Sequence, residues 1–176
     1  VFRDLGLVNH AEPFSHLLTQ GMVLKDGAVM SKSKGNVVDP DDMIAKYGAD
    51  ALRLYVMFMA PPEKELEWID AGLEGAFRFL MRVWRIVQQW RETVAAAPAI
   101  GRVEGGLTLA ERALRRKTHD TIRRVTQDIE PRVHLNTVVS ALMELVNELY
   151  QFSDQHTAAG PAARRAEGQA PAESPG

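Results

Sequence analysis

The chain's 176 residues, 45% of them hydrophobic and with a formal net charge of −2, suffice to bury one sizeable core or two small ones and speak against both wholesale disorder and a globally basic nucleic-acid binder. Without cysteine there are no disulfides or thiolate metal sites, and the five histidines (His10, His16, His119, His134 and His156) show no paired ligand spacing, so no metal site is expected. No apolar run approaches the ~20 residues that span a bilayer and the start lacks a basic-then-apolar leader pattern, so a cytoplasmic chain with no membrane partner is the expectation.

Val1 occupies the first position in place of a methionine, and Phe2 and Leu5 read as the last turn of a helix stopped by Gly6, as if the chain began inside a larger domain. Pro13 and Phe14 lead into His16-Leu-Leu-Thr-Gln-Gly21, which reads as a buried strand, with Gly21 allowing a close approach of backbone or ligand. His16 is read as a strand-edge or solvent-facing residue rather than a catalytic one. Met22, Val23 and Leu24 favour a strand, Asp26-Gly27 suits a two-residue type I′ turn, and Ala28, Val29 and Met30 return. Lys32 and Lys34 follow the second strand beside Ser31, Ser33 and the permissive Gly35. Two ammonium groups and two hydroxyls there can neutralise phosphate oxygens and donate to them. By composition alone the same stretch also reads as a solvated surface loop, and it is not a P-loop, because Gly-x-x-x-x-Gly-Lys-Ser/Thr is absent.

Asp39-Pro40-Asp41-Asp42 opens a short helix that Gly48 closes: Asp39 caps, Pro40 fits the first helical position and the acids complement the dipole. A second helix opens at Asp50 with Leu52, Tyr55, Val56 and Met59 on one face, ending at Pro61-Pro62. Glu63 to Glu67 reads as a solvated charged connector. From Asp70 a long helix is predicted to about Thr93, with Leu73, Phe77, Leu80, Trp84 and Val87 on one buried face and Phe79, Val83, Ile86 and Trp90 on another. Arg78, Arg82 and Arg85 form a basic stripe along it that suits an RNA backbone, the alternative being a solvated face with arginine stems over apolar surface.

Ala95 to Gly106 reads as a flexible connector. Thr108 and Glu111 have capping-box spacing, opening a helix with Leu114, Ile122, Val125 and Ile129 as its seam and Arg112, Arg115, Arg116, Lys117, Arg123 and Arg124 on its other faces. Residues 71–135 carry twelve Lys/Arg against seven Asp/Glu, whereas 1–70 carry seven against eleven, so the middle is the candidate RNA-facing part. Pro131 breaks the pattern. Asn136-Thr137 begins a last helix with Val139, Leu142, Met143, Val146, Leu149 and Tyr150 inward, and the three long helices are expected to form a bundle. From Ser153 the composition turns to Ala, Pro, Gly and Gln, which reads as a disordered tail over 153–176.

The stretch Met30-Ser31-Lys32-Ser33-Lys34-Gly35-Asn36-Val37-Val38-Asp39-Pro40 resembles the KMSKS signature loop of class I aminoacyl-tRNA synthetases, here at 29–33, with its downstream flank. The contexts Leu17 to Gly27, Tyr47-Gly-Ala-Asp50 and Ala60 to Trp68 are similar to those of bacterial-type leucyl-tRNA synthetases, and the resemblance runs from about Val1 to Phe152. It departs at Val29, where the family motif has lysine, so one cationic contact to the phosphates is missing.

The resemblance implies a mainly α chain. Residues 1–67 would be the end of a Rossmann-like α/β catalytic domain, a strand and a β-hairpin, and 68–152 part of an α-helical anticodon-binding domain. It implies activation of leucine with ATP and transfer to tRNA(Leu), with Lys32 as the principal catalytic contact and Met30, Ser31, Ser33 and Lys34 helping to bind ATP. Gly35, Asn36 and Asp39 would support the loop, and Arg78, Arg82, Arg85, Arg115, Arg116 and Arg123 would meet tRNA. Mg²⁺ would travel with the nucleotide, and the complete enzyme would be a monomer. No His-x-Gly-His motif, leucine pocket or editing domain is present, so the chain alone is expected not to aminoacylate tRNA. The alternative is a non-catalytic helical tRNA-binding module that keeps the loop as a relic.

Overall fold

The computed structural model describes residues 1–12, 14, 16–97, 106–130 and 133–158. The Asp-Gly turn forms as the sequence predicts: Asp26 and Gly27 have φ of 56° and 69°, the two positive values a type I′ turn requires. It joins β1 (Val23–Lys25) to β2 (Ala28–Val29) with Leu24 opposite Val29 and Lys25 opposite Ala28. A third strand, β3 (Leu66–Glu67), pairs parallel to β1, giving the order β2-β1-β3. This corrects the solvated connector expected over 63–67. Leu66 and Trp68 donate their N–H groups to Met22 O (3.0 Å) and Leu24 O (2.7 Å), and both side chains are buried.

The strand expected over 16–21 does not form. Leu17 is 67% exposed, and β2 and β3 reach only the few residues of β1 itself, which leaves the preceding segment no ladder partner among the described residues. Gly21 does permit a close approach, to backbone: its N–H donates to Pro62 O at 2.7 Å, and a Cβ there would collide with the Lys64 carbonyl.

Helix α1 (Pro40–Tyr47) starts under an Asp39 cap, whose side chain accepts from Asp41 N–H at 2.9 Å, and ends at Gly48 with φ 84°. Helix α2 (Ala49–Met59) lies against α3 (Asp70–Ala96), and the core forms between them from Ala51, Tyr55, Trp68, Leu73 and Ala76. The Tyr55 and Trp68 rings meet edge to face at 4.9 Å, and the Tyr55 hydroxyl accepts from Ile69 N–H at 2.7 Å. This core fastens β3 to the helices, so the hairpin is anchored to the bundle through β3.

Helices α4 (Leu109–Ile129) and α5 (Leu135–Ala158) pack as a pair, and α5 also lies against α2 and α3. The capping box forms: Thr108 accepts from Glu111 N–H while Glu111 accepts from Thr108 N–H at 2.7 Å. The seam differs from the one predicted. Ile122 and Ile129 are exposed, and the inward set is Leu114, Thr118, Thr121, Val125 and Asp128, spaced i, i+4, i+7, i+11 and i+14. Only one of the two faces expected on α3 is covered throughout: Phe79 and Ile86 are buried, whereas Trp84 is 62% and Val87 57% exposed. Leu142 on α5 is likewise exposed.

The last helix passes the expected boundary at Phe152. Ser153 is buried, and its Oγ lies 3.0 Å from Gln89 Nε2 and 2.9 Å from Trp90 Nε1, so the helix runs on to Ala158 and Ser153 packs against α3. Composition had hidden this, because a small hydroxyl filling a tight helix contact does not register as apolar. The tail expected beyond Ala158, the centre of the connector (98–105), Pro13 and Pro131 lie outside the described residues.

Candidate phosphate-binding loop and basic helix faces

Past β2 the chain turns through Ser31 into one 3-10 turn, Lys32–Lys34, and leaves it at Gly35 with φ 68°. Ser31 caps the turn, its Oγ accepting from Lys34 N–H at 3.3 Å and lying 3.0 Å from Ser33 Oγ. Asn36 folds back over the turn. Its Oδ1 accepts from Ser31 N–H at 2.9 Å, and its Nδ2 donates toward the carbonyls of Lys25, Ala28 and Val29 at 3.3–3.5 Å. One carboxamide thus ties both ends of the loop to the hairpin.

Lys32 and Lys34 are exposed and, among the described residues, have no hydrogen-bond or ion-pair partner for their side chains. Two unpaired ammonium groups on a braced backbone, with the Ser31 and Ser33 hydroxyls on the same turn, suit a polyanion rather than a metal. Val29 lies in β2 opposite Leu24 and is 42% exposed. The hairpin tip has a further tie absent from the sequence reading: Gly27 N–H donates to Glu67 Oε1 at 3.1 Å. No local signal marks Glu67, which lies forty positions from its partner.

The basic residues divide into paired and unpaired sets. Arg78 is paired with Glu74 at 2.6 Å, and Arg82 donates to Asn147 at 2.9 Å while resting 4.9 Å from the Tyr150 ring. Arg85 donates to its own helix at Met81 O. All three line one hollow of about 500 Å³ with Phe58, Phe79 and Asn147. On α4, Arg115 and Arg116 are exposed and without ion-pair partners among the described residues, whereas Arg123 pairs with Asp120 at 3.0 Å. Lys117 and Arg124 share Glu144 on α5, at 2.7 and 3.4 Å. The Lys117 hydrogen bond and charge, helped by Arg124, hold the Glu144 carboxyl below the usual carboxylate range. The structure therefore brings Arg78, Arg82 and Arg85 together on one groove and leaves Arg115, Arg116 and Arg123 on a separate face. Among the described residues no group of three or more His, Cys, Asp or Glu side chains is placed to hold a metal ion, and no helix is long and apolar enough to cross a membrane.

Residues 5–69, which contain the hairpin, the loop and β3, match the sequence profile of the family tRNA synthetases class I (I, L, M and V). The chain is also similar to leucine–tRNA ligases. It is 57% identical over 162 residues to the one from Syntrophobacter fumaroxidans, covering 91% of this chain and 19% of that protein. It is 54% identical over 157 residues to the one from Geotalea uraniireducens, covering 89% and 19%. Among solved structures it is similar to the ternary complex of Agrobacterium radiobacter K84 agnB2 LeuRS with tRNA and LeuAMS, with a TM-score of 0.73 and 32% identity over 88% of this chain and 20% of that one. The chain spans about one fifth of the length of the curated relatives it matches. Over that fifth, the resemblance to leucyl-tRNA synthetases read from the sequence holds.

Proposed function

We propose that this chain is the part of a leucine–tRNA ligase that brings a cationic loop to the phosphates of ATP and presents helices to tRNA(Leu). The observation that supports this best is the pair of free ammonium groups, Lys32 and Lys34, on a loop braced by Asn36. In the reaction, a leucine carboxylate oxygen forms a bond to the α-phosphorus of ATP while the bond to the bridging oxygen of pyrophosphate breaks. Negative charge grows on the departing pyrophosphate. Lys32 meets that charge, Lys34 adds to the field, and Ser31, Ser33 and the Met30 backbone hold phosphate oxygens. Mg²⁺ enters with the nucleotide.

The leucine pocket and the remaining ATP contacts belong to the four fifths of such ligases with no counterpart here. Residues 1–67 serve as the end of the catalytic domain, and 68 onward as part of the anticodon-binding domain. That division is one of function only, since Tyr55, Trp68 and Leu73 share a core. Of the basic residues, Arg115 and Arg116 are best placed for a phosphodiester backbone, with Arg78, Arg82, Arg85 and Arg123 reached by displacing their present partners. The complete enzyme is cytoplasmic and monomeric in this reading. A relic loop would rest on Val29 alone, and the relatives matched are ligases.

The test is a titration of the chain with Mg·ATP, followed by backbone NMR. Shifts confined to residues 30–36, needing about tenfold more nucleotide in Lys32→Ala, are expected. Undisturbed signals over that stretch in the unaltered chain would sink the reading.

A further inference from the structure

Glu67 takes no part in the phosphate chemistry proposed above, yet it occupies a singular place beside it. Leu66 turns into the core, so alternation along β3 sends Glu67 to the opposite face. From there its Oε1 accepts the N–H of Gly27. Gly27 is the second central residue of the type I′ turn. The ladder pairs are Leu24 with Val29 and Lys25 with Ala28, so its N–H has no acceptor in the hairpin. The carbonyls on the other side of the turn are met by Asn36. The hairpin tip is therefore gripped on its donor by β3 and on its acceptors by the loop. Downstream, β3 is pinned where α3 begins: Trp68 Nε1 donates to Asp70 Oδ1 at 2.8 Å, and Ile69 N–H to the buried Tyr55 hydroxyl.

The geometry points to Glu67 as a positioning residue for the cationic loop: by holding Gly27 it fixes the tilt of the hairpin against the α2–α3 core, and so the place of Lys32 just beyond β2. The inference rests on the reading of that loop as a phosphate site. A carboxylate on a backbone N–H is a charge-assisted contact, and Gln preserves the acceptor oxygen without the charge. Asp is one methylene too short to reach from the same backbone position.

The experiment compares Glu67→Ala, Glu67→Gln and Glu67→Asp with the unaltered full chain. Amide hydrogen exchange at Gly27 and Lys32 to Lys34 is read by NMR, together with Mg·ATP affinity. Faster Gly27 exchange, by about tenfold, is expected in the Ala and Asp variants, the loss of roughly one hydrogen bond. Displaced amide signals over Lys32 to Lys34 and Mg·ATP binding weakened about threefold should accompany it, with Gln staying within about threefold of the unaltered exchange rate.

If Glu67→Ala fails to fold, the Asp and Gln variants carry the test, and equal Gly27 exchange in those two overturns it. Unchanged Mg·ATP affinity despite faster Gly27 exchange overturns the positioning role while leaving the loop reading intact. Mg·ATP that leaves Lys32 of the unaltered chain undisturbed removes the phosphate reading instead, and Gly27 exchange still decides whether Glu67 holds the hairpin.

Discussion

Asn36 and Ser31 close the loop on itself: the Asn36 carboxamide oxygen accepts the Ser31 N–H at 2.9 Å, while its amide nitrogen donates toward hairpin carbonyls. The backbone that carries Lys32 and Lys34 is thereby shaped before any anion arrives, which lowers the ordering cost that binding would otherwise carry.

Replacing Asn36 with alanine should loosen this arrangement. The groups it serves are partly open to water, so the loss is about 1 kcal/mol rather than the full cost of burying them unpaired. A lower urea midpoint at unchanged m would report it, and Mg·ATP binding should weaken in parallel.

Position 29 offers a gain-of-function test. Val29 is half-exposed on a strand where a long side chain fits, and the family motif has lysine there. Val29→Lys should tighten Mg·ATP about threefold and steepen the salt dependence of binding, while Lys32→Ala should weaken it about tenfold. Calorimetry at two ionic strengths measures both, and a neutral result at 29 would mean that the side chain there cannot reach the phosphates.

Tyr55 joins packing to polarity at the centre of the core. Tyr55→Phe leaves Ile69 N–H without its acceptor and should cost about 1–3 kcal/mol. Burial raises the phenol pKa above its ordinary value of 10. The folded state then holds its proton longer than the unfolded chain does. The resulting stability is fully present below about pH 10 and is lost as pH rises through the folded pKa. Urea melts from pH 8 to 11 should show this alkaline decline in the unaltered chain and a shallower one in Tyr55→Phe.

Glu144 acts at the other end of the scale. Its pKa is lowered, principally by Lys117, so its contribution is present above the ordinary carboxylate range and lost as pH falls through the folded value. The pair is on the surface and its effect is small. Glu144→Gln should flatten that part of the acid limb, and high salt should do the same to the unaltered chain.

Gly21 is a steric requirement. A methyl group there would meet the Lys64 carbonyl, which belongs to the backbone leading into β3, so that backbone would have to shift. Gly21→Ala should destabilise by about 1–3 kcal/mol, seen as a lower melting temperature.

The sequence by itself determined the pieces whose physics is local. Asp26-Gly27 specified a type I′ turn because it tolerates two positive φ values, Asp39-Pro40 a helix start, and Thr108 with Glu111 a capping box; the place of Lys32 and Lys34, just past the hairpin and ahead of Gly35, was legible for the same local reason. Only the tertiary structure decided the rest. A two-residue strand such as β3 has no measurable period, so its pairing with β1 and the reach of Glu67 to Gly27 depend on chain segments far apart in sequence. The choice of buried face on α3 and α4 was likewise beyond reading. Ile122 and Trp84 are apolar enough for a core, but whether they are covered depends on where the neighbouring helices lie, and the covered faces carry Thr121 and Phe79 instead. Ser153 makes the same point in reverse: a small polar residue is buried because two neighbouring side chains donate to its hydroxyl.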